Sequence, residues 1–311
     1  MTADVLIIGS GPAGYTAAIY AARAGRTTQL ITGAQQGGQL MITPSIENYP
    51  GFAKVISGAE LMEQMRQQVE SIGVEIIYDT VDSVDFSNRP FKLIGESKRI
   101  YEGKTVVIAT GATAKWLQVP GEMEYRGRGV SACATCDGFF FKNKDVVVVG
   151  GGNVAIEDAI FLTNFAKSVT VIHRRDELRA EKILQTRFFN NPKTNIIWDS
   201  IVTEIIGDGN RVSSVKLRNV RDNSESYSYK ETEGVFVAIG HQPNTSIFNG
   251  QIKLDNVGYI VTNHHGFVKT SIEGVFAAGD VCDPFYRQAI TSAGQGCMAG
   301  IEADKFLSNC D

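Results

Sequence analysis

Asp4-Val-Leu-Ile-Ile-Gly9-Ser-Gly11-Pro-Ala-Gly14 is the stretch that decides the fold. Its apolar start predicts a buried strand, and the Ala-rich segment that continues to Ala24 predicts a helix. The three glycines between them have the spacing of a turn in which backbone N–H groups and the positive end of a helix meet a pyrophosphate. Gly25 ends the helix and Thr28–Ile31 supplies a second strand, so a βαβ unit is predicted.

The same pattern returns in the middle of the chain. Asp145–Val149 predicts a strand, Gly150-Gly-Gly152-Asn153-Val-Ala155 a turn, the segment to Ala166 a helix, and Val169–Ile172 a further strand. A second unit of this kind is hard to fit into one doubly wound sheet. The predicted fold class is therefore α/β, with two Rossmann-like, three-layer nucleotide-binding domains.

Three further apolar segments predict buried strands that run into turn residues: Thr105–Ala109, Gly234–Gly240 and Gly274–Asp280. Between the two Gly-rich units, Gln118–Gly121 has the Pro and Gly content of a linker. We expect the second domain, residues 116–245, to be inserted into a first domain made of residues 1–115 and 246–311.

Composition narrows the class of protein. The chain has 311 residues, of which 43% are hydrophobic and 21% charged, which is ordinary globular usage and excludes a disordered or collagen-like chain. A net charge of −4 argues against nucleic acid as a partner. No uninterrupted apolar segment has the length of a membrane span, and the start lacks a secretory pattern, so a cytoplasmic protein without membrane association is expected.

Cys133-Ala-Thr-Cys136 is the motif that suggests redox chemistry. Two thiols at this spacing can form a local disulfide and exchange with a substrate thiol, and Asp137 beside them can carry the proton that dithiol formation requires. A buried inert pair, and a turn role for Asp137, are the alternatives. Zinc would need further ligands, and none of the four histidines has ligand spacing with the pair: His173, His241, His264 and His265.

Arginines follow the second strand of the second unit. Arg174 and Arg175 are adjacent and Arg179 lies four positions on, where an NAD site would place an acidic residue for the ribose. Guanidinium groups form bidentate bonds with phosphate oxygens, so this cluster predicts NADP rather than NAD. The alternative is a solvated basic helix start. His173 is expected either to stack on the adenine or to fill the strand end.

In the first unit, the position after the second strand at which an acidic residue would bind the ribose hydroxyls reads Leu30-Ile-Thr32-Gly33. Thr32 or a backbone group must therefore bind the ribose instead. Gly279-Asp280 follows a predicted strand, where a carboxylate could accept from the hydroxyls of a polyol chain or act as a turn or cap residue. Arg287-Gln288-Ala289-Ile290 begins a helix predicted to run to Leu307, and its backbone N–H groups could meet a ring carbonyl or a phosphate.

Together these motifs resemble the bacterial low-molecular-weight thioredoxin reductases over nearly the whole chain. The matching segments are Gly9–Ala18, Gly37–Leu40, Ala132–Gly138, Gly150–Asn153, His173–Asp176 with Arg179-Ala180, Gly240–Asn244, Ala278–Asp280 and Tyr286–Ile290. The resemblance implies FAD in the first domain, NADPH in the second, a homodimer, and thioredoxin as protein substrate. Electrons would pass from NADPH through FAD to the Cys133–Cys136 disulfide and then to thioredoxin.

The resemblance also implies roles for individual residues. FAD would be bound by Gly9, Ser10, Gly11, Pro12, Ala13, Gly14, Gly38, Gln39, Asn48, Thr110, Gly111, Gly279, Asp280, Arg287, Gln288 and Ala289. NADPH would be bound by Gly152, Asn153, His173, Arg174, Arg175 and Arg179. Cys136 would lie nearer the flavin, Cys133 would attack thioredoxin and Asp137 would be the acid/base, with no metal involved.

Three alternative functions fit part of the sequence. A flavin reductase of ferredoxin or flavodoxin would share the fold but leave the cysteine pair without a role. A peroxiredoxin-reductase core would keep such a pair, usually behind an additional N-terminal thioredoxin-like domain. A non-catalytic NADP sensor would keep both Gly-rich units and would not depend on the thiols.

Overall fold

The computed structural model describes residues 2–43, 45–221, 227–263 and 268–310. His264 and His265, two of the four histidines considered above as zinc ligands, lie outside these ranges. The chain forms two compact units, a discontinuous unit of Met1–Thr113 with Gln242–Asp311 and an inserted unit of Ala114–His241. These divisions lie a few residues from the predicted boundaries at 115 and 246.

The strands are β1 (Ala3–Ile8), β2 (Thr28–Ile31), β3 (Glu75–Ile77), β4 (Val81–Asp85), β5 (Phe91–Gly95), β6 (Ile100–Ile108), β7 (Ala112–Ala114), β8 (Val130–Ser131), β9 (Asp145–Val149), β10 (Ser168–Ile172), β11 (Thr194–Ile197), β12 (Ser200–Gly207), β13 (Val212–Asn219), β14 (Tyr227–Glu231), β15 (Gly234–Val237), β16 (His241–Pro243) and β17 (Val275–Ala277). The α-helices are α1 (Pro12–Arg23), α2 (Gly58–Ser71), α3 (Ala134–Asp137), α4 (Asn153–Leu162), α5 (Lys182–Phe189) and α6 (Ala289–Ser308). Short 3₁₀ helices cover Gly38–Ile42, Gly138–Phe141 and Ser246–Phe248. Within the described ranges, none of the helices combines the length and hydropathy that crossing a membrane requires.

The discontinuous unit is built on a sheet with strand order β3-β2-β1-β6-β5-β4. Strands β1, β2, β3, β6 and β17 are parallel, whereas β4, β5 and the start of β6 form an antiparallel meander. One edge of β6 is shared, because its first residues pair with β5 and Val106–Ile108 pair with β17. This arrangement brings the carboxyl ends of β1 and β17 to the same edge as the end of β6.

Side chains of β1 alternate between two hydrophobic cores. Val5 and Ile7 pack in the core that contains residues of α1, α2 and α6. Leu6 and Ile8 pack on the opposite face with residues of the meander and with Phe248. A parallel sheet is buried on both faces, which is why β1 is a continuous apolar run rather than an alternating one.

Helices α1 and α6 pack at close range through glycines of α6. A Cβ on Gly296 would overlap the Ala13 carbonyl, and a Cβ on Gly300 would lie 2.8 Å from the Ala17 carbonyl oxygen. Since a protein interior does not accommodate such overlaps, these two glycines permit the approach of the helices. The role of both glycines is therefore close packing of the two helices.

The inserted unit repeats the three-layer plan. Its parallel sheet has the order β11-β10-β9-β15-β8, with a core containing residues of α3, α4 and α5 on one face. The opposite core contains side chains of β12 and β13, which form a three-stranded antiparallel sheet with β14. The predicted fold class, two Rossmann-like α/β domains, is confirmed.

Several element bounds differ from the sequence prediction. Strand β6 begins at Ile100 rather than Thr105, because its first residues belong to the meander. Helix α4 ends at Leu162, and the chain then turns so that the Lys167 N–H donates to the Lys144 carbonyl. The antiparallel meander of β4 to β6 and the three-stranded sheet of β12 to β14 were not predicted. Short strands with alternating polarity have a weaker hydrophobic pattern than the long apolar strands of the parallel sheets.

Candidate functional site

The first Gly-rich turn holds the start of α1 close to β1. Gly9 has a φ of +109°, which favours glycine, and a Cβ on Gly14 would overlap the Gly9 carbonyl. At Gly11, by contrast, no atom lies within 4 Å of the position that a Cβ would take. Pro12 opens the helix and no side chain caps it, so the open space lies where a phosphate can approach the backbone N–H groups.

Ser10 connects this turn to two neighbouring segments. Its buried hydroxyl donates to the Thr32 carbonyl at 2.9 Å and accepts from the Gly37 N–H at 3.0 Å. The Thr32 hydroxyl donates to the Gly33 carbonyl at 3.1 Å. The Thr32 hydroxyl proton is thus used by the backbone, while its lone pairs can still accept from a ribose hydroxyl.

Two segments distant in sequence meet near the turn. Gly38 has a φ of +66°, and a Cβ on it would lie 3.6 Å from the Gly11 Cα, while the neighbouring Gln39 is exposed. The Asn48 side-chain amide donates to Gln288 Oε1 at 3.3 Å. The structure therefore brings the predicted FAD residues of the N-terminal segment to those that begin α6.

Asp280 follows β17 and is largely shielded from water. The Ser292 hydroxyl donates to its Oδ1 at 3.0 Å, and burial raises the pKa of Asp280 to about 6. The adjacent Gly279 N–H donates to Gln295 Oε1 at 2.7 Å. Asp280 does not cap α6, whose N-cap is Gln288, so the carboxylate remains free to accept from a polyol.

Asp283 is a buried residue that sequence reasoning missed. Its Oδ1 accepts from the N–H groups of Phe285 and Tyr286 at 2.9 Å each, which shapes the loop before α6. Arg287 in that loop has a φ of +48°, and its guanidinium donates to the Pro284 carbonyl at 3.0 Å. The Asp-Pro dipeptide is a turn signal from which this role could have been inferred. Ala289 is the first residue of α6, as the predicted helix start requires.

Thr110 and Gly111, after β6, are joined to Asn244. The Thr110 hydroxyl donates to the Asn244 carbonyl, and the Asn244 side chain donates to the Thr110 carbonyl, both at 2.8 Å. The Asn244 N–H donates to the Gly111 carbonyl at 3.0 Å. The Pro-Asn end of the Gly240–Asn244 motif therefore fixes the turn that follows β6.

The second Gly-rich turn, in the inserted unit, has the same features as the first. A Cβ on Gly150 would overlap the Ala238 carbonyl and one on Gly151 would overlap the ring of His173, whereas the position at Gly152 is open. Gly152 is the N-cap of α4 and has no side-chain cap. The His173 ring is buried against this turn, which lowers its pKa, so it fills the strand end as the second alternative predicted.

The loop after β10 is anchored to the turn by its backbone. The Arg179 N–H donates to the Gly151 carbonyl at 2.8 Å, and the Asn153 side chain accepts from the Glu181 N–H at 2.8 Å. Arg174, Arg175 and Arg179 are all exposed. Among the described residues none forms an ion pair with these guanidinium groups, which leaves them free to bind a phosphate.

Cys133 and Cys136 form a disulfide across the first turn of α3, with their Cα atoms 5.3 Å apart. Cys133 is half-buried and Cys136 exposed. The Cys136 N–H donates to Cys133 Sγ at 3.2 Å, and the Thr135 hydroxyl lies 3.4 Å from the same sulfur. Two donors thus converge on Cys133, and both would favour its thiolate after reduction.

Asp137 ends α3 beside the disulfide. Burial raises the pKa of its carboxyl group, while a hydrogen bond from Ser131 lowers it in part. The same Ser131 hydroxyl accepts from the Cys133 N–H at 3.0 Å. Ser131 is a second residue that the sequence did not indicate, and it positions both the acid and one member of the pair.

The other cysteines are free: Cys282, Cys297 and Cys310. Burial beside Asp283 and Asp280 raises the pKa of the Cys282 thiol to about 12, so this thiol is not a nucleophile at neutral pH. Within the described part of the chain, no three residues of His, Cys, Asp or Glu are grouped as metal ligands.

Comparison with known proteins agrees with this geometry. The family model of the pyridine nucleotide-disulphide oxidoreductases matches residues 3–296. The thioredoxin reductase of Rickettsia felis is 57% identical over 310 residues, 99% of each chain. The solved thioredoxin reductases from Giardia duodenalis (42% identity, TM-score 0.94) and Streptococcus pyogenes (46% identity, TM-score 0.92) each align over 99% of both chains. The chain therefore belongs to the pyridine nucleotide-disulphide oxidoreductase family and, within it, to the thioredoxin reductases.

Proposed function

We propose that this protein reduces the disulfide of thioredoxin with electrons from NADPH, which pass through FAD and the Cys133–Cys136 disulfide. The observation that carries the proposal is the disulfide itself, at the start of α3 beside an Asp137 whose pKa is raised, in a chain with two dinucleotide-binding turns. The enzyme is an NADPH-dependent flavoprotein disulfide oxidoreductase, as its family membership establishes.

We assign FAD to the discontinuous unit and NADPH to the inserted unit. The fit of FAD rests on the open backbone at Gly11, on Asp280 and on the contact of Asn48 with Gln288. The fit of NADPH rests on the open position at Gly152 and on the unpaired arginines after β10. These observations support Gly11, Asn48, Asp280 and Gln288 as FAD residues and Gly152, Arg174, Arg175 and Arg179 as NADPH residues.

Bound in the discontinuous unit, FAD would supply the two-electron redox chemistry that links NADPH to the disulfide. Reduction of the Cys133–Cys136 bond needs two electrons and, for the dithiol, two protons. We assign the supply of one proton to Asp137, because a carboxyl group with a raised pKa holds its proton nearer neutral pH. The N–H of Cys136 and the Thr135 hydroxyl hold the Cys133 sulfur as thiolate.

The second half of the reaction returns the pair to its oxidised state. The Cys133 thiolate attacks one sulfur of the thioredoxin disulfide, which breaks that bond and releases the other sulfur as a thiolate that is then protonated. Cys136 next attacks Cys133 Sγ, re-forms the Cys133–Cys136 disulfide and releases the second thioredoxin thiol. Atoms balance, since one disulfide is formed for each disulfide reduced.

We further propose a homodimer in the cytoplasm. Tyr20 of α1 and Ile290 and Ile301 of α6 are exposed apolar side chains on adjacent helices of the discontinuous unit, and such side chains are common in interfaces between identical subunits. Three unpaired cysteines favour a reducing compartment. Light scattering on the purified protein tests the dimer, and fractionation of the source cells tests the compartment.

The decisive experiment measures NADPH oxidation with oxidised thioredoxin for the natural protein, for Cys136→Ser and for Cys310→Ser as the matched control at an exposed free cysteine. We expect Cys136→Ser to abolish thioredoxin reduction while NADPH still reduces the flavin, and Cys310→Ser to keep full activity. Activity with ferredoxin or flavodoxin alone, unchanged in Cys136→Ser, would refute the proposal and establish the first alternative. A protein that binds NADPH without reducing any acceptor would be a sensor.

A further inference from the structure

Arg221 lies beside the loop that carries the NADPH arginines, although it is 45 residues from Asp176 in sequence. It follows β13, and its guanidinium forms a hydrogen-bonded ion pair with the Asp176 carboxylate. Its Nε lies 3.0 Å from Asp199 Oδ1. One arginine therefore pairs with two carboxylates. Asp176 lies inside the loop of residues 174–179, called here the arginine loop, and Asp199 lies just after β11.

Backbone hydrogen bonds fix Arg221 in this place. Its N–H donates to Asn219 Oδ1 at 2.9 Å, and the Val220 N–H donates to the Asp199 carbonyl at 2.7 Å. The Asp199 N–H in turn donates to the Arg175 carbonyl at 3.3 Å. The segment that carries Arg221 is thus linked through Asp199 to the backbone of the arginine loop itself.

The charges of the loop explain why this contact matters. Asp176 and Glu177 stand between Arg175 and Arg179, so an unpaired Asp176 would offer a carboxylate next to an incoming phosphate dianion. The side chain of Asp176 is exposed, and the ion pair with Arg221 lowers its pKa, so it stays ionised at neutral pH. A like charge near a bound anion opposes binding, and a counter-ion on that charge removes most of the repulsion.

We propose that Arg221 is a specificity-determining positioning residue for the 2′-phosphate of NADPH, because it neutralises Asp176 and holds it to Asp199 within the arginine loop. The inference rests on the proposed assignment of NADPH to this loop. Arg221 acts through Asp176, so its effect is confined to ligands that carry the 2′-phosphate. The adenosine and 5′-phosphate parts of the nucleotide are expected to be indifferent to it.

The test is calorimetric titration of the oxidised holoenzyme with 2′,5′-ADP and with 5′-AMP, which differ by the 2′-phosphate. An exposed charge pair contributes only modestly to binding, so Arg221→Ala is expected to weaken 2′,5′-ADP binding by about 3- to 5-fold. Binding of 5′-AMP is expected to stay within about 2-fold. Arg218→Ala, an exposed arginine of β13 without an ion pair in the described residues, is the matched control and should change neither affinity.

A double variant distinguishes two effects of Arg221: neutralising the charge of Asp176, and holding the arginine loop in its conformation. In the double variant Asp176→Asn with Arg221→Ala the carboxylate inside the arginine loop is gone, although Asp199 after β11 still lacks its arginine. The affinity for 2′,5′-ADP should therefore return to within about 2-fold of the natural protein if Asp176 is the charge that matters. The inference is wrong if the double variant stays as weak as Arg221→Ala, if Arg221→Ala weakens both ligands equally, or if it weakens neither.

A further pair of variants separates this inference from the assignment of NADPH. Arg174→Ala and Arg175→Ala should each reduce 2′,5′-ADP affinity if the loop binds the 2′-phosphate at all. If they do and Arg221→Ala does not, only the role of Arg221 is refuted. If neither arginine matters, the NADPH assignment itself fails and the role of Arg221 fails with it.

Discussion

The Arg126 guanidinium lies 3.7 Å from the centre of the Trp116 ring. It also lies 3.8 Å from the buried carboxylate of Glu122, which accepts hydrogen bonds from the N–H groups of Leu117 and Gln118 at 2.7 and 2.8 Å. The start of the inserted unit is therefore held by a charged cluster around the buried Glu122 carboxylate, although Gln118–Gly121 has the Pro and Gly content of a linker.

Glu122→Ala should destabilise the inserted unit, because it leaves two backbone N–H groups and the Arg126 guanidinium without their acceptor. Removing one partner of a buried charged network costs about 3 kcal/mol. Urea unfolding followed by Trp116 fluorescence measures the loss. The exposed Glu124→Ala is the control, and equal midpoints for both variants would show that the cluster contributes nothing.

Gly14→Ala should impair folding, whereas Gly11→Ala should impair flavin binding. A Cβ at position 14 would overlap the Gly9 carbonyl, so Gly14→Ala is expected to lower the melting temperature even of the flavin-free protein. A Cβ at position 11 meets no protein atom, so Gly11→Ala should fold normally and lose bound flavin. The melting temperature and the flavin absorbance of each purified variant test the pair, and flavin retention in Gly11→Ala would contradict the proposed FAD site.

Asp280 should make the flavin-free protein less stable as pH rises. The ordinary pKa of its carboxyl group is 3.8 and the folded value about 6, so ionisation is easier in the unfolded chain. Between these two pH values the free energy of unfolding should fall by about 3 kcal/mol and stay lower above them. Asp280→Asn, which cannot ionise, should therefore exceed the natural protein in stability at pH 8 and lose that advantage toward pH 4.

The comparison needs chemical denaturation of flavin-free protein at several pH values between 4 and 8. Ser292→Ala is a useful control, because it removes the hydrogen bond to the carboxylate without removing the carboxylate. A stability difference between Asp280→Asn and the natural protein that is constant across this range would show that Asp280 ionises normally in the fold.

Thr135→Val should slow the reaction of the reduced Cys133 with iodoacetamide at neutral pH. The Thr135 hydroxyl lies 3.4 Å from Cys133 Sγ, and loss of one hydrogen bond of about 1 kcal/mol corresponds to about a 5-fold lower thiolate population. Mass spectrometry of the Cys133 peptide gives the rate. Thr186→Val, at an exposed threonine of α5, serves as the control. Identical rates in the two variants would show that the Thr135 hydroxyl does not stabilise the thiolate.

The sequence predicted the strands and glycine turns whose backbone N–H groups would bind the nucleotides. It did not predict the side chains that hold the neighbouring loops in place. Apolar runs next to glycine turns define β1, β9 and their helices almost residue by residue, because parallel strands buried on both faces leave a continuous apolar signal. The meander strands β4 and β5 alternate over only five residues each, so periodicity does not identify them.

Supporting residues such as Ser131 and Arg221 could not be placed from the sequence for a different reason. Each acts on a neighbour brought close by a turn or by a distant strand, and their residue types are common on any protein surface. Spacing in sequence carries no information about such contacts. Cys133 and Cys136, whose chemistry needs only the local turn, were predictable from four residues.

The close packing of α6 against α1 has a consequence for synthesis on the ribosome. Gly296 and Gly300 of α6 meet α1, which is made far earlier in the chain, so the discontinuous unit lacks this helix until the whole inserted unit has been made. The inserted unit is complete by His241 and has its own two cores. Domains generally fold as units in the order in which they emerge. In this enzyme the inserted unit is thus the first to become self-sufficient, and the Gly-rich turn before α1 waits for its partner helix until α6 has been made.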